Sequence, residues 1–247
     1  MKPTERYRSP SDLPTTIPVF PLRGAIVLPR AVLPLNIFEP RYLAMLDHVI
    51  SGDRLLGIIQ PDDQPAPVYR PPSNDDADAD DHERAASSDS PEGKETALHP
   101  VGCVGRVTSF QELDDGRLVI SLTGISRFRV REECETNHAF RVCDVDFSAY
   151  AHDLEPGLGE RQVDREQLLS VLRNYLESRA LNADWRMITR SGSEFLVNSL
   201  SVVSPYGPAE KQALLEACDL KTRAEVLIAL AEMDLAGGDD GTGSTLQ

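Results

Sequence analysis

The sequence predicts an α+β fold, with short strands in the first 150 residues and helices after them. Two patterns support this prediction: apolar and polar residues alternate after residue 100, and apolar residues recur at helical spacing after Ser148. In addition, six prolines punctuate short apolar runs between residues 13 and 40, which favours strands that are short, bulged or at a sheet edge. Strands followed by helices are typical of α+β chains, and these short strands suggest a small closed or half-closed barrel.

One helix is predicted among the amino-terminal strands. Pro40 suits a first helical turn, apolar residues follow it at helical spacing, and Gly52 can end the helix. The continuously apolar run from Leu55 to Ile59 then predicts a short buried strand.

The second group of strands is predicted around a tight turn. Asp114-Asp115-Gly116 separates the run 101–110 from alternating apolar residues that begin at Leu118, which is typical of a hairpin. Phe128 and Val130 continue an inward face, and a further strand is predicted over about 140–147. The pattern of these strands predicts an antiparallel meander.

Four helices are predicted after the strands. The first starts near Asp164, and the second runs from about Ser193 to just before Ser204. Pro208 opens the third, and the fourth carries an apolar stripe over 224–235.

Composition predicts where the ordered parts begin and end. We expect a disordered arm at 1–12, a barrel at 13–150, a helical bundle at 151–236 and a disordered tail at 237–247. Within the barrel, residues 62–99 carry eleven acidic side chains against three basic ones and few large apolar groups. Such a segment buries too little surface to offset its ordering entropy, so we expect a disordered acidic loop that mainly confers solubility.

Charge and composition exclude several classes of protein. The 247 residues carry a net charge of −15, which disfavours binding to another polyanion. No stretch approaches the roughly 18 apolar residues of a membrane span, and the amino terminus lacks the apolar run of a signal peptide. Four cysteines without a CxxC pair indicate reduced thiols and a cytoplasmic location: Cys103, Cys134, Cys143 and Cys218.

The motifs of common enzymes are not found, so we expect neither catalysis nor a cofactor. The Gly93-Lys94 pair is followed by Glu95 rather than by the hydroxyl residue of a phosphate-binding loop. Of the four lysines, Lys211 is expected at the solvated start of a helix, which disfavours a Ser–Lys protease dyad. The five histidines show no metal-ligand spacing, and His48 and His138 are interpreted as ordinary, partly exposed side chains.

The strand-to-helix corner at 39–42 is the candidate site. Its charged residues, Glu39 and Arg41, lie between apolar runs and predict a structural ion pair, with Arg127 as the expected partner of Glu39. If the pair is exposed instead, it is available to a ligand. An apolar groove beside this corner is expected from four residues: Phe20, Leu22, Phe38 and Tyr42.

Five sequence strings together resemble the amino-terminal domain of the Lon protease, and more closely the small bacterial proteins that consist of that domain. They are FPL at 20–22, LPLNIFEPRY at 33–42, GRV at 105–107, GRL at 116–118 and GISRF at 124–128. The resemblance covers about residues 15–235. It implies a barrel of the pseudouridine-synthase-and-archaeosine-transglycosylase (PUA) type followed by a helical bundle, with roles in substrate recognition and oligomer contacts. It implies no ATP-dependent proteolysis, because the ATPase and Ser–Lys protease domains are not present in this sequence.

Three functions are compatible with these observations. The first is binding of unfolded or extended polypeptide, by strand addition at incompletely paired edges beside an apolar groove. The second is an adaptor or scaffold that docks on one folded partner through the carboxy-terminal helices. The third is RNA binding, suggested by the barrel type and by a basic stripe of Arg127, Arg129 and Arg131, although three glutamates surround that stripe.

Overall fold

The computed structural model describes residues 4, 6–62, 96–114, 116–179 and 182–239. Most of the expected acidic loop and the last eight residues of the expected tail lie outside them. The two ends of the loop are held together, because Asp62 N donates to Ala97 O over 2.7 Å and His99 N donates to Gln60 O over 3.0 Å.

Six strands form one mixed sheet. They are β1 Thr16–Pro21, β2 Val32–Ile37, β3 Leu55–Ile59, β4 Val101–Glu112, β5 Leu118–Glu133 and β6 Arg141–Asp146. The order is β2-β5-β4-β3-β1-β6, and β6 also pairs with β5, so five of the strands form a ring of ladders.

One ladder, outside the predicted antiparallel meander, is parallel. Strands β1 and β3 are parallel, with Val19 opposite Gly57, whereas the other ladders are antiparallel. Parallel neighbours need a long crossover connection, and here β2 and the first helix supply it. The meander predicted for the strands after residue 100 is antiparallel as expected, in both the β4–β5 and the β5–β6 ladder.

Strand β5 is the long element that connects the two parts of the sheet. Its first half pairs with β2 and its second half with β6, while β4 follows it on the other edge. Between the halves, Gly124 donates to Ala31 O and accepts from Arg30 N, both over 2.9 Å. A Cβ at this position would overlap the carbonyl group of Leu28, so only glycine allows the loop before β2 to lie this close.

The predicted helices are present at the expected places. They are α1 Pro40–Ser51, α2 Arg165–Ser178, α4 Ser193–Val203, α5 Pro208–Glu216 and α6 Leu220–Asp239. A six-residue helix that was not expected, α3 Trp185–Arg190, is capped by the side chain of Asp184. Helix α6 runs three residues past the boundary expected at 236, since glycine weakens a helix by only about 1 kcal/mol per residue. No helix in the described ranges is long and apolar enough to cross a membrane.

The sheet and the helices share a hydrophobic core. One cluster of buried side chains joins Leu28, Leu122, Leu196, Leu214 and Leu227, from the sheet side and from three helices. A second cluster packs against the strand ring, and four of its members are Ile17, Ile59, Phe128 and Phe147. The observed architecture is therefore a mixed sheet with helices packed on it, which confirms the α+β class.

Part of the expected amino-terminal arm is packed. Tyr7 is 5% exposed and belongs to the second cluster, and Pro10–Asp12 forms a short 3-10 helix. The ring of Tyr7 buries a large apolar surface, and this anchors the segment although the residues around it are mostly polar.

A buried ion pair connects the sheet to the helices. Arg127 of β5 and Asp153 of the 3-10 helix Ser148–Leu154 are 1% and 5% exposed. Both carboxylate oxygens accept from the guanidinium, over 2.9 Å from Nε and 2.8 Å from Nη2, and the Arg127 backbone N–H also donates to the carboxylate. Arg127 Nη1 donates to the carbonyl groups of Leu215 and Ala217 at the end of α5. One side chain thus joins three elements.

The pair remains charged although it is buried. Burial by itself would raise the pKa of Asp153, but the hydrogen bonds and the charge of Arg127 outweigh it and hold that pKa below its ordinary value. The pKa of Arg127 is raised, because its bonds to Asp153 outweigh the opposing effect of burial. The resulting stabilisation is complete above pH about 4, the unfolded-state pKa of aspartate, and is lost as the pH falls through the folded-state pKa.

The expected pairing of Glu39 with Arg127 is wrong. Glu39 and Arg41 pair with each other, with Arg41 Nη2 2.9 Å from Glu39 Oε2, and their side chains are 43% and 57% exposed. Glu39 and Arg41 are two residues apart at the start of α1 and pair directly on the exposed surface, whereas Arg127 pairs with Asp153, which is 26 residues away along the chain.

We expect Asp153→Ala to lower the free energy of unfolding by about 3–5 kcal/mol, because it leaves the Arg127 guanidinium buried without a counter-ion. Glu39→Ala is the matched control and should cost less than about 1 kcal/mol, because its ion pair is exposed. Urea unfolding at pH 7 measures both. Equal losses in the two variants would contradict this account of the pair.

We expect Gly124→Ala to lower the free energy of unfolding by about 3 kcal/mol, because the added methyl group meets backbone atoms of Leu28 that cannot move alone. Gly207→Ala provides the comparison, since its methyl group meets only the flexible end of Glu210. Thermal melts of both variants test this, and a Gly124→Ala melt as high as that of Gly207→Ala would refute the close approach.

Candidate functional site

An apolar groove of about 360 Å³ lies between α2, α4 and α6. Most of its lining is aliphatic, and six of the lining residues are Leu168, Leu172, Leu176, Leu200, Val203 and Ile228. Cavities of a few hundred Å³ with mainly apolar walls are the usual form of a ligand site.

The groove follows from the spacing of apolar residues on its helices. Leu168, Leu172 and Leu176 are four residues apart, so they line one face of α2. The first two are buried and form the floor, whereas Val203 at the end of α4 is 66% exposed at the mouth. Helix α4 ends before Pro205, and the chain then turns so that Tyr206 joins the wall.

One end of the groove is polar. Arg179 Nη2 lies 2.6 Å from Asp234 Oδ2, and the guanidinium lies 5.6 Å from the centre of the Tyr175 ring. Burial, followed by the nearby Tyr175 and Asp234, raises the pKa of Tyr206 to about 12. The Tyr206 phenol therefore stays neutral at physiological pH. The groove thus offers an uncharged apolar floor beside one compensated ion pair, which suits an apolar side chain followed by a polar group.

The four residues expected to line a groove do not form one together. Phe20 and Tyr42 are 5% and 7% exposed, with ring centres 4.1 Å apart, and both belong to the core. Leu22 is half-buried against that core, and Phe38 is 61% exposed. The prediction of an apolar groove beside the corner at 39–42 is therefore corrected. The apolar groove lies between α2, α4 and α6 instead.

Two of the expected residues do meet in another cavity. Arg41 and Tyr42 line a more polar space of about 320 Å³ together with Phe140 and Arg141 of the β5–β6 region. Arg141 is held there by Glu133 and by the carbonyl group of Thr96. The two arginines that line this space are already paired, Arg41 with Glu39 and Arg141 with Glu133. The space therefore has fewer free binding groups than its polarity suggests.

The basic stripe expected on β5 is incomplete. Arg127 is buried in its pair with Asp153, and Arg131 lies 3.6 Å from Asp146. Arg129 is exposed beside the Tyr150 ring. A bulge in the ladder to β6, together with the burial of Arg127, explains why alternate residues do not share one solvated face.

Lys211 was expected at a solvated helix start and is in fact 2% exposed. Its Nζ donates to the carbonyl groups of Ser201 and Val202, each over 2.7 Å, and so satisfies the carboxy-terminal end of α4. Burial lowers the pKa of Lys211 to about 8. The position of Lys211 is therefore explained by helix capping.

The cysteine and histidine side chains offer little reactive chemistry. All four thiols are free, and burial raises the pKa of Cys143 to about 12 and that of Cys103 further. His138 stacks on Phe140 with ring centres 4.6 Å apart, and His48 lies 5.0 Å from His138. Within the described residues, no group of three or more histidine, cysteine or acidic side chains could hold a metal ion.

Comparisons with solved structures show the same fold. The crystal structure of a Lon N-terminal domain protein from Xanthomonas campestris matches with a TM-score of 0.54 and 23% identity, and covers 87% of this chain and 98% of that one. The N-terminal domain of Mycobacterium avium complex Lon protease matches with a TM-score of 0.55 and 18% identity, and covers 88% of this chain and 98% of that one.

Comparisons of sequence point to the same relatives. The Lon protease of Dictyoglomus thermophilum is 24% identical over 226 residues, which are 87% of this chain and 24% of the relative. Lon protease 2 of Sorangium cellulosum is 26% identical over 240 residues, 92% of this chain and 26% of the relative. The chain thus spans about a quarter of the length of these relatives.

The family model described as the ATP-dependent protease La (LON) substrate-binding domain matches residues 16–232. The chain therefore belongs to the family of Lon substrate-binding domains.

Proposed function

We propose that this chain is a non-catalytic module that binds extended or unfolded polypeptide, and that the groove between α2, α4 and α6 takes an apolar side chain of it. The observation that carries the proposal is the open apolar groove of about 360 Å³ with exposed Val203 at its mouth. The family description as a substrate-binding domain supports it.

The size and chemistry of the groove favour weak and broad recognition. Burying one leucine- or phenylalanine-sized side chain contributes about 1.5–3 kcal/mol, less than a stable complex requires. The Arg179–Asp234 pair and the Tyr206 hydroxyl at one end can add hydrogen bonds to a peptide backbone. Such a site selects apolar character rather than a defined sequence, as binding of unfolded chains requires.

A sheet edge offers a second contact for the same polypeptide. Strand β2 is at the end of the strand order and pairs with β5 alone among the described strands. Val32 at the start of β2 is 45% exposed, and Phe38 just after it is 61% exposed. An extended segment can add to such an edge through backbone hydrogen bonds.

We also infer the subdomain organisation expected from the sequence. The ring of ladders β5-β4-β3-β1-β6 supports a PUA-like barrel within 13–150, and the helices from α2 to α6 support a helical bundle within 151–236. The four free thiols favour a cytoplasmic location.

The test measures binding of the whole chain to a reduced, carboxymethylated model protein by fluorescence anisotropy. Val203→Asp should weaken binding at least about tenfold, because it places a charge at the apolar mouth. Met187→Asp is the matched control: Met187 is also an exposed apolar residue, 64% exposed, but it does not line the groove. It should bind like the unsubstituted chain, and thermal melts establish that both variants are folded.

Two results would overturn the proposal. The first is a lack of binding by the unsubstituted chain at tens of micromolar, and the second is an equal loss in the two variants. A single folded partner recovered in stoichiometric amount by in-cell crosslinking, without unfolded clients, would favour the adaptor function instead.

A further inference from the structure

Three arginines meet where the helices join the sheet. They are Arg30 from the loop before β2, Arg127 from β5 and Arg223 from α6, and together with Asp153 and Glu194 they line one small cavity. We call these five side chains the arginine cluster. Arg30 has a φ of 65°, in the left-handed region that side chains rarely adopt, so its backbone is held in a strained conformation to bring it here.

Each carboxylate oxygen of the arginine cluster already accepts a hydrogen bond. Asp153 accepts from Arg127 with both oxygens. Glu194 accepts from Arg30 Nη2 with one oxygen, and with the other from Gly157 N over 2.9 Å. Neither carboxylate accepts a hydrogen bond from Arg223 among the bonds that the described residues make.

Arg223 has only neutral partners. It is 3% exposed, its Nε donates to Leu214 O, and its Nη1 donates to Asn198 Oδ1, each over 2.9 Å. Its Nη2 is buried and has no hydrogen-bond partner among the described residues, and the same is true of Arg30 Nε. Two orphaned donors thus belong to side chains that line the same cavity.

The cluster carries one excess positive charge. Three guanidinium groups face two carboxylates. His152, which is 38% exposed, also lines the cavity, and its Nε2 lies 3.0 Å from Arg127 Nη2. Leu220, the first residue of α6, also lines the cavity, and the exposed carboxylate of Asp219 just before it caps that helix by accepting from Thr222 N. Burial and the charge of Arg127 lower the pKa of Arg223 to about 10, so it remains charged at neutral pH.

The cavity has the size of one small ligand. Its volume is about 20 Å³, enough for a single water molecule or a monoatomic ion and too small for a phosphate or a peptide carboxylate. Either small occupant can accept from the orphaned donors. Only an anion also offsets the excess positive charge of the cluster, because no carboxylate is hydrogen-bonded to Arg223 and a buried charge without such a partner is costly.

We propose that this cavity is a binding site for one monoatomic anion, chloride in the cell, held by Arg223 and Arg30 between the sheet and the helices. The anion completes the charge balance that the two carboxylates leave open. It binds the folded chain and not the unfolded one, so its binding free energy adds to the stability of the junction.

The test compares thermal melts at one ionic strength while chloride replaces gluconate, which is too large for the cavity. Chloride at about ten times its dissociation constant should raise the melting temperature by about 3–6 °C. Arg223→Gln should abolish this rise, because it removes the excess charge. Arg186→Gln, which changes an exposed arginine of α3, is the matched control and should retain it.

Crystals of the unsubstituted chain grown in sodium bromide give a second measurement that needs no variant. An anomalous peak is expected in the cavity beside Arg223 Nη2. An empty or water-filled cavity in bromide would overturn the proposal, as would melts that do not respond to chloride or that respond equally in Arg223→Gln. If Arg223→Gln does not fold, the bromide density alone decides.

Discussion

The bidentate pair between Arg127 and Asp153 is the interaction on which the rest of the structure depends. A buried ion pair contributes little net stability over a well-packed apolar pair, but its direction is fixed, and losing either partner is costly. Here one guanidinium also donates to carbonyl groups at the end of α5. It therefore sets how the helices after residue 150 sit against β5, which apolar contacts alone would specify less sharply.

The same region explains the shape of the sheet. Strand β5 serves two partners in succession, β2 and then β6, and the change occurs at Gly124, three residues before Arg127. The missing side chain admits the loop that carries Arg30, and Arg30 then reaches Glu194 of α4. A single small residue and a single large charged one, close together on one strand, thus bring the loop, the sheet and the helices to one junction.

The groove is a consequence of how the helices are anchored. Helix α4 is held by Asn198, which donates to Pro29 O, and α6 by Arg223, which donates to Leu214 O and to Asn198. These anchors lie on the side of the helices that faces the sheet. The buried leucines of α2 form the floor of the groove on the far side, and the space above them between the three helices stays open. An apolar groove therefore lies opposite a polar junction.

The sequence by itself determined where the six strands and five of the helices lie and to which family the chain belongs. Helix starts at Pro40 and Asp164 and the turn at Gly116 are local signals, since capping and turn chemistry act over a few residues. The string at 33–42 identified the family because it is a local pattern as well. Only the tertiary structure decided that Arg127 pairs with Asp153 rather than Glu39, that Lys211 is buried, and that the groove lies on α2 rather than around Phe20. Each of these depends on distances between segments far apart in the chain, and periodicity shows which face of an element is apolar but not what covers it.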